Sequence, residues 1–557
     1  MNRDDSTSSQ NDSSSFESAL NALFSPLHQS TTKEAIVTAA QRRTSTVMDM
    51  RKYWSCLADL PSNRKRRTRR MIHITGTKGK GSTACFCESI VRMHAKSTGL
   101  FTSPHLMDIR ERIRWNGRPV HPNIFGNAYW KIRHDLEASA KLLAKEDLPV
   151  LPGYFRMLTL MAYYILEVVL EVDVLIIEVG MGGRYDATNF WDITEETRVV
   201  CGVTKLDLDH TRILGNTVEL IAWEKGGIFA RDKADKITVS SKQVAMQEED
   251  SRMPSPKPVN GQKAFILDSN TPGVIVMFRS CARVEGCGQV DLQLVDATGA
   301  RLLEALDGGS LLGLAGKHQY GNATLAAHLC QEVLLSDRTT NNIPTTIFEN
   351  KKTLRGIQLA QWPGRCQVLE QEDSWTYLLD GAHTYDSMTA TVDFFSEHSL
   401  SNMKQGHNDE PSALFLVFNC SHERNPVELL RLLLPLKISK VYFGRSDSSR
   451  PSPLAVPTAK FLLEDKGIPI QTDLLEEDIE KPTWQETLAA VWKHLKADGE
   501  SSTTTIDCNS NAKMILEDLH ENHKPSKVLV TGSLYLVGSF LSALDWTEES
   551  SPDITSA

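Results

Sequence analysis

No apolar stretch in this 557-residue chain approaches the ~18 residues that a membrane-crossing helix needs. The longest, Leu158–Val169 and Val172–Val179, are interrupted by Glu167 and separated by Glu171, so no membrane span is expected. Basic excess is lacking too. The formal net charge is −9, which argues against a chain whose main task is coating nucleic acid. The ten cysteines include no CxxC pair, which leaves no zinc ribbon or thioredoxin-like site and points to reduced, packed thiols of a cytosolic kind. The first fifteen residues have no apolar core segment and are too acidic for a mitochondrial transit peptide. They are read as a flexible tail and the compartment as cytoplasmic, with a mitochondrial form left open. No repeat of fixed period is present.

What remains is an ordinary globular composition, 41% hydrophobic and 24% charged. The length allows three or four domains of ~150 residues, or two large ones. Short β-type runs at Met71–Thr75, Val172–Val179, Arg198–Thr204 and Ala234–Ser240 alternate with helical patterns such as Ser82–His94. That alternation predicts an α/β fold with a mainly parallel sheet. After Trp362-Pro363-Gly364 a second series begins: Thr376–Leu379, Ala413–Phe418, Lys440–Phe443 and Lys527–Val530, with helical patterns at Pro426–Leu434 and Trp484–Lys496. The expected division is a tail and helical lead-in over 1–70, a first unit over 71–360 with a polar insertion at 241–261, a second unit over 361–546 and a tail over 547–557. The run Asn63–Arg70, six basic residues in eight, is read as a solvated loop, with a phosphate-steering or nuclear-signal role as the alternative.

Ile72–Thr83 reads IHITGTKGKGST, a strand, a Gly/Lys turn and a helix start. Glycines let backbone N–H groups converge on an anion, the helix N-terminus adds positive potential, and Lys80 adds a mobile charge. Ser82 is placed to offer its hydroxyl to Mg²⁺. The common GxxxxGK[ST] spacing is broken, because Ile74 stands where the first glycine would be and Gly81 follows Lys80. A glycine-rich surface turn is the alternative, and the flanking strand and helix favour a nucleotide phosphate site. Glu178 closes the strand VDVLIIEV, where a buried carboxylate is costly unless it meets a cation: a metal, or an arginine such as Arg184. His210, in LDLDHT after another strand, lies where α/β sheets present loops to ligands.

Taken together and in order, the motifs resemble a known family. GTKGKGST (Gly76–Thr83), FTSPHL (Phe101–Leu106), RERI (Arg110–Ile113), EVGMGGRYDATN (Glu178–Asn189) and DHTRILGNTVELIAWEKGGI (Asp209–Ile228) are similar to those of folylpolyglutamate synthases of the eukaryotic type, the folate branch of the Mur ligases. GKHQYGNA (Gly316–Ala323), PGR (Pro363–Arg365), LDGAHT (Leu379–Thr384) and VTGSLYLVG (Val530–Gly538) continue the match to about Leu544. The shortened GTxGK turn is the form those ligases use. The resemblance implies a P-loop-like ATPase domain followed by a Rossmann-like α/β domain, with the active site in the cleft between them.

Residue by residue, it implies that Gly76, Thr77, Lys78, Gly79, Lys80, Gly81 and Ser82 bind ATP, with Ser82 at a first Mg²⁺. Ser103, Glu178 and His210 would hold a second Mg²⁺, and Lys225 matches a lysine that carries a carbamate in bacterial relatives. Asn322, Arg365 and Asp380 would contact the nucleotide from the interdomain side, and His383 and Ser533 the incoming glutamate. Lys80, Lys225 and His383 are the residues expected to carry the chemistry. ATP and Mg²⁺ are the implied cofactors, with K⁺ a further candidate. Folate and L-glutamate are the implied partners, with no nucleic acid, in a monomer. The implied reaction joins L-glutamate to the γ-carboxylate of a folate through an acyl phosphate. Dihydrofolate synthase, alone or combined in one bifunctional enzyme, is the alternative within the family. The run Arg110–Gly117 is closer to the polyglutamate synthases. A nucleic-acid-dependent NTPase would explain the basic run and the turn, but not LDGAHT or the second half.

Overall fold

The computed structural model describes residues 6–25, 45–58, 69–190, 197–229, 262–284, 290–306, 312–334, 347–371, 373–401, 413–421, 425–445, 456–469, 482–497, 505–508 and 510–549. The expected strand Ala234–Ser240, the insertion 241–261, the basic run up to residue 68, and the loops 405–411 and 498–504 lie outside the described residues. Two sheets organise what is described, one of eight strands and one of six.

The first sheet contains β1 (Arg69–Thr75), β2 (Thr98–Phe101), β3 (Ile113–Trp115), β4 (Arg118–Pro119), β5 (Val174–Glu178), β6 (Thr197–Val203), β7 (Gln262–Leu267) and β8 (Val290–Val295). Their order is β4-β3-β2-β5-β1-β6-β7-β8. All neighbours run parallel except β2–β3 and β3–β4. Parallel strands covered on both faces must be apolar on both, and the alternation shows it. Met71, Leu175 and Ile177 point into one core, while Ile72, Ile74, Val174 and Ile176 point into another.

β9 (Gln367–Glu370), β10 (Thr376–Asp380), β11 (Leu414–Phe418), β12 (Lys440–Phe443), β13 (Thr505–Cys508) and β14 (Lys527–Thr531) form the second sheet, in the order β13-β12-β11-β14-β10-β9. Only the β9–β10 edge is antiparallel. Here Leu378, Leu416 and Phe418 face one core, and Tyr377, Leu379, Phe415 and Val417 the other. The fold is thus the α/β architecture expected, with two mainly parallel sheets. The expected strands that fall among the described residues are recovered within a residue or two. β2, β3, β4, β7, β8, β9 and β13 are additional, because runs of two to six residues carry little periodicity.

Both chain ends depart from the tails expected for them. A helix begins at Ser6 and runs to Leu23, and its Phe16 ring meets Phe125 edge-on at 5.7 Å. At the other end, Glu548 chelates the Arg114 guanidinium at 2.6 and 2.9 Å, and Glu549 pairs with Arg118 at 2.9 Å. Arg114 and Arg118 lie on β3 and β4, so the C-terminal residues strap the second unit to the edge of the first sheet.

A hydrophobic anchor reinforces this strap. Leu106, from the loop after β2, is buried in a core built by the second sheet. It fits because Gly364 and Gly538 leave room. A Cβ at Gly538 would stand 2.2 Å from the Leu106 carbonyl oxygen, closer than any real contact. Gly538→Ala is therefore expected to lower the urea stability of the second unit by roughly 1–3 kcal/mol, the usual cost of overpacking. Gly467→Asn, at an exposed left-handed position with nothing within 4 Å, should leave the midpoint unchanged. Equal midpoints for Gly538→Ala and wild type would show that the two units do not pack here.

Candidate active site

The order of the first sheet assembles the site. β2, β5, β1 and β6 are consecutive neighbours, so the chain leaving each C-terminal end enters one cleft, as open α/β sheets do with ligands. β2 delivers Ser103, β5 ends on Glu178, β1 runs into the Gly76–Ser82 turn, and β6 leads to Asp207–His210. The second unit closes the other side with His383, Ser533 and Asp380. Apart from Gly76 and Asp207, these groups line one cleft of about 1750 Å³, roomier than the ~300–1,000 Å³ typical of a single drug-sized ligand.

The turn is shaped by contacts that only glycine permits. Gly76 has φ +143°, and a Cβ there would fall 1.8 Å from Thr204 Oγ1. Gly79 has φ +89° and would strike the Asn322 amide oxygen at 2.4 Å. The 14-residue helix Lys80–Met93 starts immediately after it, so its positive N-terminal end faces the cleft. The helix His318–Leu334 backs the turn: Gln319 Nε2 donates to Ser82 Oγ at 3.3 Å, and Asn322 Nδ2 donates to Gln319 Oε1 at 2.9 Å. Thr77 and Lys78 belong to the turn, but both backbone N–H groups donate to the Lys205 carbonyl, at 2.9 and 3.1 Å. They are committed within the protein, unlike the phosphate-facing role expected of them.

Glu178 forms the floor. It is buried, its Oε2 accepts the Ser103 N–H at 3.0 Å, and its Oε1 lies 3.9 Å from the Lys80 ammonium. Burial raises its pKa, opposed by the charge of Lys80 and by the Ser103 hydrogen bond. Arg184, the other cation weighed for it, instead stacks on Trp223 at 3.8 Å and donates to the Trp223 carbonyl. His210 lies at the cleft rim with half its side chain exposed, 3.8 Å from the Asp209 carboxylate, and its φ of +51° turns the chain into a short helix.

Lys225 is almost fully buried beneath the turn, where its ammonium donates to the Gly76 carbonyl at 2.7 Å. Burial, with Lys80 adding to it, lowers its pKa to about 7. Much of this lysine is therefore a neutral, nucleophilic amine at physiological pH.

Across the cleft, Asp380 accepts the N–H groups of Cys366 at 2.7 Å and Ala382 at 2.8 Å, tying the Arg365 turn to the His383 loop. His383 Nδ1 lies 2.8 Å from the Gly381 carbonyl. A carbonyl only accepts, so Nδ1 is assigned the proton and Nε2 is the basic nitrogen of the neutral ring. Ser533 begins the helix Leu534–Ala543, and Arg365 lines the cleft between the units.

Reading the residues one at a time missed several groups that the fold brings in. Gln319 and Asp386 line the cleft, as do Arg112, Arg156, Lys205 and Arg212. Gln319 lay within the matched GKHQYGNA run. The scattered arginines carry no local pattern, yet they make the cleft basic in a chain of net charge −9. Among the described residues, no three His, Cys, Asp or Glu side chains converge as a preformed metal site. Mg²⁺ does not require one, since it is commonly held by one or two carboxylates, waters and substrate phosphates. Glu178, beside Ser82 and Ser103 on the phosphate turn's side of the cleft, fits that mode.

No protein-family model matches the chain. It is 37% identical over 392 residues to the mitochondrial folylpolyglutamate synthase of Cricetulus griseus, an alignment covering 67% of this chain and 58% of the hamster protein. The match thus spans less than two thirds of that relative's length. A putative folylpolyglutamate synthase of Caenorhabditis elegans is 31% identical over 487 residues, 85% of this chain and 81% of the nematode protein. Among solved structures, Mycobacterium tuberculosis folylpolyglutamate synthase complexed with ADP superposes with a TM-score of 0.62 at 19% identity, over 97% of this chain and 100% of that one. With a two-sheet fold, a basic cleft and relatives of this extent, the chain belongs to the folylpolyglutamate synthase family.

Proposed function

We propose that the chain is an ATP-dependent ligase that adds L-glutamate to the γ-carboxylate of tetrahydrofolate and its polyglutamates, releasing ADP and phosphate. The observation that carries this reading is the single cleft in which the phosphate turn and Glu178 of one sheet face Asp380, His383 and Ser533 of the other. In this reading residues 71–360 are the ATP-binding unit and 361–546 the ligase unit. The protein works as a cytoplasmic monomer; among the described residues, no helix is long and apolar enough to cross a membrane.

The chemistry follows from charge. A carboxylate is a poor acyl donor, so the folate γ-carboxylate first attacks the γ-phosphoryl group of ATP, forming an acyl phosphate and ADP. Positioning and charge neutralisation dominate such transfers. Gly79, Lys80, Gly81 and Ser82, at the helix N-terminus, hold the phosphates, and Lys80 neutralises charge on the transferred group. Asn322, Arg365 and Asp380 hold the nucleotide from the far side. Ser82 would hold one Mg²⁺ and Glu178, Ser103 and His210 a second, and these ions would supply Lewis-acid charge at the phosphate oxygens. The amine of L-glutamate, placed by His383 and Ser533, then attacks the acyl carbon. A C–N bond forms, the C–O bond to phosphate breaks, and the ammonium proton passes to His383 Nε2. Arg112, Arg156 and Arg212 offer counter-charges for the carboxylates of a polyglutamate tail.

Lys80→Ala and Glu178→Gln should each cut glutamate-dependent phosphate release by on the order of 10²–10³-fold, as loss of one transition-state contact does. Far-ultraviolet circular dichroism should stay as in wild type. Near-normal turnover in either variant would overturn the assignment.

Lys225 is read as a carbamate. Its neutral fraction grows as pH rises through about 7, so CO₂ can add to the amine with release of a proton. Labelling with ¹³C-bicarbonate should give a carbamate NMR signal that Lys225→Arg abolishes, and a bare amine in the active enzyme would remove this assignment.

A further inference from the structure

The two units touch the cleft's margins in physically different ways. At the β2–β3 side, Leu106 is buried in the second unit's core, and the nearly inaccessible Arg114 is chelated by Glu548 and lies 4.8 Å over the Trp362 ring. An inserted apolar side chain and a buried, bidentate charge pair do not separate readily. At the turn after β1 the contact is an ion triad. The Lys78 ammonium lies 2.5 Å from Asp207 of its own unit and 2.8 Å from Asp386, in the first turn of the second unit's helix Tyr385–Ser401. β3 and β1 are three positions apart in the sheet, about 14 Å at ~4.8 Å per strand.

Exposure separates the two contacts further. Asp386 is 65% exposed and Asp207 44%, against 22% for Lys78. Ion pairs that open to water shift an equilibrium by roughly fivefold or less, and salt screens them. Such a contact suits a closure that must open again for product release. Asp207 holds the ammonium when Asp386 departs, and the Lys205 carbonyl fixes the Lys78 backbone. The lysine is thus aimed across the cleft by its own unit. It sits two residues before Lys80, and Asp386 three residues after His383, so the contact links the phosphate site to the glutamate site.

We propose that Lys78 is a positioning residue, a latch that closes the ligase unit onto the phosphate turn through Asp386, with the Leu106–Arg114 contact as the hinge. The proposal rests on the ligase reading above and deepens it. It also removes Lys78 from direct phosphate binding. An open latch leaves the acyl phosphate to water, so ATP is consumed without glutamate being added.

The test uses full-length Lys78→Met, Asp386→Asn and the double variant. Binding of β,γ-methylene-ATP by calorimetry should stay within about twofold of wild type in all three. KM for L-glutamate should rise roughly two- to fivefold, and phosphate released per glutamate incorporated should rise well above one. The double variant should be no worse than the singles, because both remove the same pair. High salt should move wild type towards the variants. Small-angle scattering should show wild type contracting when the analogue binds and both single variants contracting less. Tenfold weaker analogue binding by Lys78→Met alone would instead make Lys78 a phosphate ligand, and multiplicative effects of the two substitutions would separate the residues. Both results overturn the latch, as do variants with wild-type coupling and contraction. If wild type adds no glutamate to folate yet contracts in a Lys78-dependent way, the ligase reading fails and the latch stands.

Discussion

A carboxylate buried at the end of a central strand is the constraint around which the molecule is arranged. Glu178 has lost most of its water, and its nearest compensations among the described residues are one backbone N–H at 3.0 Å and an ammonium 3.9 Å away, with Arg365 and Arg112 acting at longer range. None of these satisfies a charge that burial destabilises. The Gly76–Ser82 turn must therefore pass close by, and the loop carrying Ser103 must fold over it. At Gly81 the turn packs against the carboxylate, with Glu178 and Trp362 each about 3.6 Å from where its Cβ would be. The residual demand for positive charge is what makes the site receptive to a divalent cation brought with a nucleotide.

The second sheet answers a different requirement. An acyl phosphate survives only where water is scarce, and one sheet's loops cannot enclose a ligand from all sides. The buried Leu106 and the Arg114–Glu548 pair fix one margin of the enclosure while the charged margin at Lys78 stays reversible. Asp380 serves both purposes, since its carboxylate organises the backbone of the loops that carry Arg365 and His383. Buried Lys225 ties the phosphate turn from below through the Gly76 carbonyl, and the same burial lowers its pKa to about 7.

Much of this was legible in the chain because strong local signals coincide with function. The apolar runs at Met71–Thr75 and Val174–Glu178 are strands buried on both faces, and Gly76 and Gly79 mark close approaches that no other residue allows. The half-polar strands β8 and β13 were not legible, because exposed edges need no continuous apolar pattern. Nor were the long-range partnerships. Nothing near Arg114 in sequence announces Glu548, 434 residues later, and nothing near Lys78 announces Asp386. Such pairs follow from tertiary geometry alone. The helix at Ser6–Leu23 was obscured by serine-rich composition, and it is settled by Phe16 packing on Phe125.

The central claim is that one cleft activates a folate carboxylate with ATP and delivers it to glutamate. Incubating the full-length protein with tetrahydrofolate, ATP, Mg²⁺ and radiolabelled L-glutamate, then resolving products by chromatography, tests it most directly. The account predicts label in folates lengthened by one or more γ-linked glutamates, with one ADP formed per residue added. Label that stays in free glutamate, or ADP formation that ignores both folate and glutamate, would contradict it.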